Sequence, residues 1–197
     1  GPEREKLIYD AVIAQGPPKN LVPVTVSGPN NIKITYYVMP DYIKIGDIRV
    51  TMSPATAQKV ANHFGMHLPT DKMSKQIYDA ADMKVRANPL SGAGYKGLDG
   101  KWYTGKEVVN NRIGKSDAAV AYSSLTDQEI DKEKTKSGKE PILIAGHGKD
   151  ILQPLDNPND PRIGGWHGKD KTPIQPYTAA HKGEAARHSE YALYSRL

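Results

Sequence analysis

The chain has 197 residues and a mass of 21.6 kDa, enough for one substantial core; 38% hydrophobic and 25% charged residues with 18 Gly and 15 Pro describe a globular, turn-rich protein. Cysteine is absent, which excludes thiolate nucleophiles, disulfides and every Cys-ligated zinc or iron–sulfur centre. The net charge of +5 and pI of about 9.2 favour an anionic partner, but the basic residues are dispersed and no Lys/Arg cluster carries interleaved aromatics, so the usual nucleic-acid footprint is missing.

No run approaches the roughly 20 apolar residues of a membrane helix, and no apolar core of a signal peptide is present. Gly1-Pro2 matches the scar left when a protease removes a tag, so a leader is expected to have been trimmed. Residues 3–15, with Leu7, Ile8, Val12 and Ile13 apolar, read as a short helix or strand that stops at Gly16-Pro17-Pro18. Val22, Val24 and Val26, then Ile32, Ile34, Tyr36 and Val38, alternate on either side of Ser27-Gly28-Pro29-Asn30-Asn31, the pattern of antiparallel strands. Residues 42–52 read as a further hairpin about Gly46-Asp47.

Ser53-Pro54 starts a helix expected to run to about Phe64 and end at Gly65, with Ala57, Val60, Ala61 and Phe64 on its core face. Thr70 caps a second helix, expected from Asp71 to about Val85, with Met73, Ile77, Ala80, Ala81 and Lys84 along one side. His63 and His67 are four apart, but Gly65 between them argues against a helical metal pair. Residues 88–114 read as a long Gly/Asn/Lys-rich loop carrying Tyr95, Trp102 and Tyr103, aromatics that either stack on sugars or bases or anchor the loop. Thr126 is expected to cap a charged helix from Asp127 to Lys136 that presents a solvated face.

The chemistry-bearing residues gather in 141–197. The string His-Gly-Lys-Asp occurs twice, as His147-Gly148-Lys149-Asp150 and His167-Gly168-Lys169-Asp170. Each joins a group that titrates near neutrality to a lysine, a carboxylate and a glycine able to turn tightly; a pair of ordinary polar turns is the plainer alternative. Residues 141–146 and Arg162–His167 read as brief strands, each delivering its histidine to one edge of a sheet, with His181 brought to a third side by the rigid 173–177 segment.

The block Ala145-Gly146-His147, Gly165-Trp166-His167, Pro173-Ile174-Gln175-Pro176, His181 and Tyr191-Ala192-Leu193-Tyr194-Ser195 resembles a set of uncharacterised, apparently exported bacterial proteins. Met52-Ser53-Pro54, Ala57-Gln58 and residues 68–73 look like the middle of the same family, so the resemblance runs from about residue 35 onward. It carries no activity; it implies an extracytoplasmic setting and a shared site. Such proteins tend to read Tyr-Ser-His-Gly where this chain has Tyr194-Ser195-Arg196-Leu197, which weighs against a mechanism needing that histidine.

The expectation is one α+β domain over 1–197: a small antiparallel sheet, two consecutive helices, and C-terminal strands that complete or adjoin the sheet. The expected function is a small extracytoplasmic hydrolase of a cell-wall or polysaccharide polymer. Its catalytic candidates are His147, Lys149, Asp150, His167, Asp170, His181, Tyr194 and Ser195. A neutral imidazole takes a proton from water or Ser195, a protonated His or Lys149 stabilises the oxyanion, and Asp150 or Asp170 orients its histidine. Trp102, Tyr103, Arg162, Trp166, Gln175 and Tyr177 form the expected substrate-binding set. A lyase would use Tyr177 or Tyr194 as base, with Arg162 or Lys149 neutralising a uronate. Zinc on three histidines is the alternative to no cofactor, although spacings of 20 and 14 residues match no compact signature. A glycan- or wall-binding module stacking sugars on Trp102, Tyr103 and Trp166 is the second class, and a secreted nuclease or toxin the third.

Overall fold

The computed structural model describes residues 2–87, 95–96, 102–103, 115–157, 159–168, 171, 173–179, 193–194 and 196. The fold is α+β, with four helices among the described residues and several small sheets. Helix α1 (Pro2–Ala14) buries Ile8 and Val12, four residues apart on one face. Strands β1 (Val22–Ser27) and β2 (Lys33–Val38) form an antiparallel ribbon in which Val24 faces Tyr36. The turn between them places Asn30 and Asn31 in the left-handed region, which asparagine tolerates better than most residues. The expected hairpin follows as β3 (Lys44–Ile45) and β4 (Ile48–Arg49), turned at Gly46 with φ +59°.

Both expected capping signals are used. Ser53 Oγ accepts from the Thr56 amide at the head of α2 (Pro54–His63), and Thr70 Oγ1 accepts from Met73 at the head of α3 (Asp71–Ala80). Helix α3 ends at Ala80, five residues short of the expected end, because tertiary bonds capture the following segment. Ala81 turns extended, the Asp82 carboxylate accepts the amides of Ile142 and Leu143, and β5 (Met83–Lys84) pairs in parallel with β8 (Ile144–Ala145). Thr126 caps nothing. It lies inside α4 (Lys115–Ser137), donating to the Tyr122 carbonyl one turn back. Tyr122, Thr126 and Ile130 are buried at a stride of four, so α4 packs one face inward where the charges alone suggested a solvated helix. Of the expected 88–114 loop, the described residues are β6 (Tyr95–Lys96) and β7 (Trp102–Tyr103), an antiparallel pair; the rest lies outside them.

The C-terminal strands β9 (Lys149–Leu152), β10 (Arg162–His167), β11 (Pro173–Ala179) and β12 (Leu193–Tyr194) make a sheet of their own, in order β11-β10-β9-β12, rather than completing the N-terminal ribbon. Ile163 of β10 faces Ile151 of β9, and both enter the core that α1 and α2 fill with Ile8, Val12, Val60 and Ala61. Full burial of each isoleucine contributes about 1.5–3 kcal/mol. A second cluster joins Val24 and Val38 of the ribbon to Ile77, Tyr78 and Ala81 at the end of α3.

Gly146, between β8 and the first His-Gly-Lys-Asp string, has φ +100°, and a Cβ there would stand 2.7 Å from the Val85 carbonyl oxygen and 2.9 Å from the Tyr78 ring. Only glycine satisfies both constraints. Gly146→Ala is expected to lower unfolding free energy by about 3 kcal/mol or more, since backbone strain and a clash add. A urea titration showing less than about 1 kcal/mol would contradict this account of the turn.

Candidate functional site

The first string and His167 of the second lie at one end of the C-terminal sheet, but by a different route from the one expected; Lys169 and Asp170 lie outside the described residues. Lys149-Asp150 opens β9 and His167 closes β10; because these strands are antiparallel, with Lys149 facing Gly165, one start and one end coincide. The His167 amide donates to the Gly146 carbonyl at 3.0 Å, and the Ala87 amide donates to the His167 carbonyl at 2.7 Å. Gly165 has φ +77° and Trp166 φ +57°. A left-handed Trp costs about 1–3 kcal/mol, and here it breaks the strand's alternation so that Trp166 and His167, adjacent in sequence, are both buried.

His147 is 0% exposed. Its Nε2 lies 2.8 Å from Asp41 Oδ1, and Arg49 donates to the same carboxylate through Nη2 at 2.6 Å and Nε at 3.1 Å. Arg49 is itself 1% exposed and reaches Asp127 on α4 at 2.5 Å. Burial opposes the charge of Asp41, but the hydrogen bond of His147 and the hydrogen bonds and charge of Arg49 outweigh it and hold the carboxyl well below its usual range. Burial also lowers the pKa of His147, with Asp41 pulling the other way. The assignment that follows is a neutral ring donating Nε2–H to ionised Asp41, which makes Nδ1 a lone pair; it has no partner among the described residues. The carboxylate orienting His147 is therefore Asp41, where the sequence pointed to Asp150.

Asp150 takes other partners. It accepts from the Tyr42 phenol at 2.5 Å and from Ser74 Oγ. Tyr42 is fully buried, and burial followed by the Asp150 charge keeps its pKa well above the ordinary phenol value, so it remains a donor. The guanidinium of Arg196 lies 4.9 Å from the centre of the Tyr42 ring and donates to the carbonyls of Met39 and Ile144. His167 stacks on Tyr78 with ring centres 3.4 Å apart and planes 4° from parallel. Burial lowers its pKa, while Asp150 and Asp79 draw it back up, and its Nδ1 has no partner among the described residues. Tyr42, Ser74, Tyr78, Asp150, His167 and Arg196 line a cavity of about 10 Å³, room for about one water.

The remaining candidates divide. Trp166 is 8% exposed, its Nε1 donates to the Tyr122 hydroxyl at 2.7 Å, and Lys149 Nζ sits 4.9 Å from the ring centre, so the indole is an internal strut and not an open stacking platform. Arg162 pairs with Asp160 at 2.6 Å and lies 5.8 Å from the ring of Tyr177, which is 46% exposed; these two stay together on β10 and β11. The backbone sets Tyr194 of β12 opposite Asp150 and Gln175 of β11 opposite Gly165, and places Trp102 and Tyr103 on β7. Asp170, His181 and Ser195 lie outside the described residues. Among the described residues no three His, Asp or Glu side chains converge as a metal-binding group.

Sequence reasoning missed Asp41, Tyr42, Arg49, Ser74, Tyr78, Tyr122 and Arg196. Ser74-Tyr78 and Tyr122-Thr126-Ile130 each carry a stride of four that marks a helix face. Asp41 and Arg49 carry no local signal. Beside the Tyr78–His167 stack opens a groove of about 630 Å³ whose lining includes Lys84, Arg86, Glu129, Glu133, Gly168 and Lys171. A hollow of about 700 Å³ between α1 and α2 holds none of the expected residues.

No family model, curated protein or solved structure matches the chain. Among the described residues no helix is long and apolar enough to cross a membrane.

Because Arg49 compensates a buried carboxylate, Arg49→Met is expected to destabilise by about 3–5 kcal/mol. Asp127→Asn, at a half-exposed partner, should cost about 1 kcal/mol or less. Equal losses in chemical denaturation would contradict the assignment of Asp41 as the dependent charge. A pH dependence follows from the histidines. With folded pKa values below the ordinary 6.5, the unfolded chain binds more protons as pH falls, so this stability is complete above about 6.5 and declines below it. Unfolding free energy should drop measurably from pH 7 to 5, a range above the ordinary carboxylate pKa of Asp41; a flat profile would contradict the buried neutral rings.

Proposed function

We propose that the protein is an extracytoplasmic hydrolase of a cell-wall or polysaccharide polymer in which His167 is the acid/base group. The observation that carries this reading is the setting of His167: a buried imidazole, shifted toward its neutral form, whose Nδ1 has no partner among the described residues, at a small polar cavity and beside a groove of about 630 Å³. A neutral imidazole can accept a proton from an attacking water and return it to the leaving group. Asp150, held by Tyr42 and Ser74, supplies negative charge that steadies the imidazolium formed in between. His147, sealed against Asp41, positions the backbone on which that cavity is built. The mixed charge of the groove suits a polar polymer, the net charge of +5 favours an anionic one, and the resemblance of the C-terminal block to exported proteins supports the setting.

The burial of His147 favours a second reading, a non-catalytic glycan- or wall-binding module whose histidines are structural links. The two separate on His167→Gln. Assayed for product release from a panel of wall polymers and polysaccharides, the hydrolase reading expects turnover to fall about 10²-fold or more. Loss of the ring stacked on Tyr78 should cost about 1 kcal/mol of stability. Wild-type protein that binds such polymers without releasing any product would give the binding module first place.

A further inference from the structure

Tyr122 lies on α4, 1% exposed, and its hydroxyl touches both His-Gly-Lys-Asp regions at once. It donates to the His147 carbonyl at 2.7 Å and accepts from Trp166 Nε1 at 2.7 Å. Both partners sit at decisive places. The His147 carbonyl follows Gly146, whose own carbonyl receives the His167 amide. Trp166 immediately precedes His167 and is held at φ +57°, a conformation that a bulky residue keeps only when its surroundings enforce it. Tyr122 grips the indole nitrogen from one side while Lys149 covers the ring face. Released toward an ordinary extended conformation, Trp166 would restore the alternation of β10 and turn His167 away from Tyr78.

We propose that Tyr122 is a positioning residue for His167: by locking left-handed Trp166 and the His147 carbonyl to a single hydroxyl on α4, it fixes the imidazole against Tyr78 at the polar cavity. This rests on the reading of His167 as the acid/base group, but its test needs no substrate. Tyr122→Phe keeps the ring and removes only the shared hydroxyl. The readout is the titration of the His167 imidazole in the intact folded protein, followed by NMR of the ring carbon-bound protons, with His167→Gln identifying the signal. Among the described residues, the charged and titratable groups around that ring are Asp150, Asp79 and Tyr78, with Tyr42 and Arg196 lining the same cavity and Lys84 5.5 Å from the Tyr78 ring centre, and Tyr122→Phe replaces none of them.

The expected result is a His167 midpoint displaced upward toward the ordinary histidine value, with loss of the ring-current shift from Tyr78. Ser123→Ala, which removes another α4 contact, the Ser123 Oγ that accepts from the Arg49 amide, should lower stability without moving that midpoint. If Tyr122→Phe does not fold, Trp166→Phe removes the other half of the same bond and is expected to give the same displacement. A folded variant that is less stable yet titrates His167 as wild type does would overturn the proposal, leaving Tyr122 a packing residue. Absence of hydrolysis by the wild type would instead defeat the functional reading and leave the titration result standing.

Discussion

Asp41 is a carboxylate that is 9% exposed, and a charge so far from water is tolerable only when fully compensated. Among the described residues its partners are Arg49, eight residues on, Lys44 at 3.7 Å, and His147 from the C-terminal third, and Arg49 carries the network on to Asp127 of α4. The network therefore ties the β3–β4 hairpin, the first His-Gly-Lys-Asp string and the long helix together. Losing Arg49 would strand the Asp41 charge, so the hairpin that carries it is bound to one arrangement with the segments it joins. Such a network is weak evidence for stability, since a well-packed apolar replacement could do as well. What it supplies is orientation: His147 is held in one tautomer, and the backbone that follows is aimed toward β9.

From that anchored backbone the second string is placed by steric and hydrogen-bond constraints rather than by charge. Gly146 turns where no side chain fits, its carbonyl takes the His167 amide, and Ala87 takes the His167 carbonyl. Both backbone groups of His167 are thus bonded outside its own sheet, and a residue that would ordinarily continue a ladder is held across a junction between sheets. The left-handed Trp166 is the conformational cost of that junction. Its hydrogen bond to Tyr122 and its contact with Lys149 offset part of it.

The parts of the fold governed by local rules were legible in the sequence. Ser53-Pro54 and Thr70 marked the starts of α2 and α3, and the alternation of Val22, Val24 and Val26 marked the ribbon, because caps and two-residue periodicity act over a few residues. The end of α3 was not legible, since β5 exists only through pairing with β8, about sixty residues away. The site divides in the same way. The repeated string was visible in one dimension, and the described residues set its first copy and His167 of its second at one end of the C-terminal sheet. Its partners were invisible: Asp41 joins His147 across 106 residues and Tyr42 joins Asp150 across 108, and no spacing rule reaches that far. Trp166 misled because an aromatic in a polar string suggests exposure, whereas its indole N–H had a buried acceptor on a helix whose inward face was hidden among charges.

Arg196 shows how the reach of one side chain decides the work a position does. A histidine there would offer two ring nitrogens on a short stem. Arginine presents five donors on a long one. Here the guanidinium uses that reach to join the Met39 carbonyl, just before Asp41 and Tyr42, to the Ile144 carbonyl of β8, while it lies over the Tyr42 ring. A histidine side chain is too short and has too few donors to span both carbonyls and cover the ring as well. The position is 3% exposed and acts as a clamp on Tyr42, the residue whose phenol holds Asp150. A cation at 196 therefore serves Asp150 indirectly, by fixing its phenol donor, on the same side of the fold as the His167 ring stacked on Tyr78.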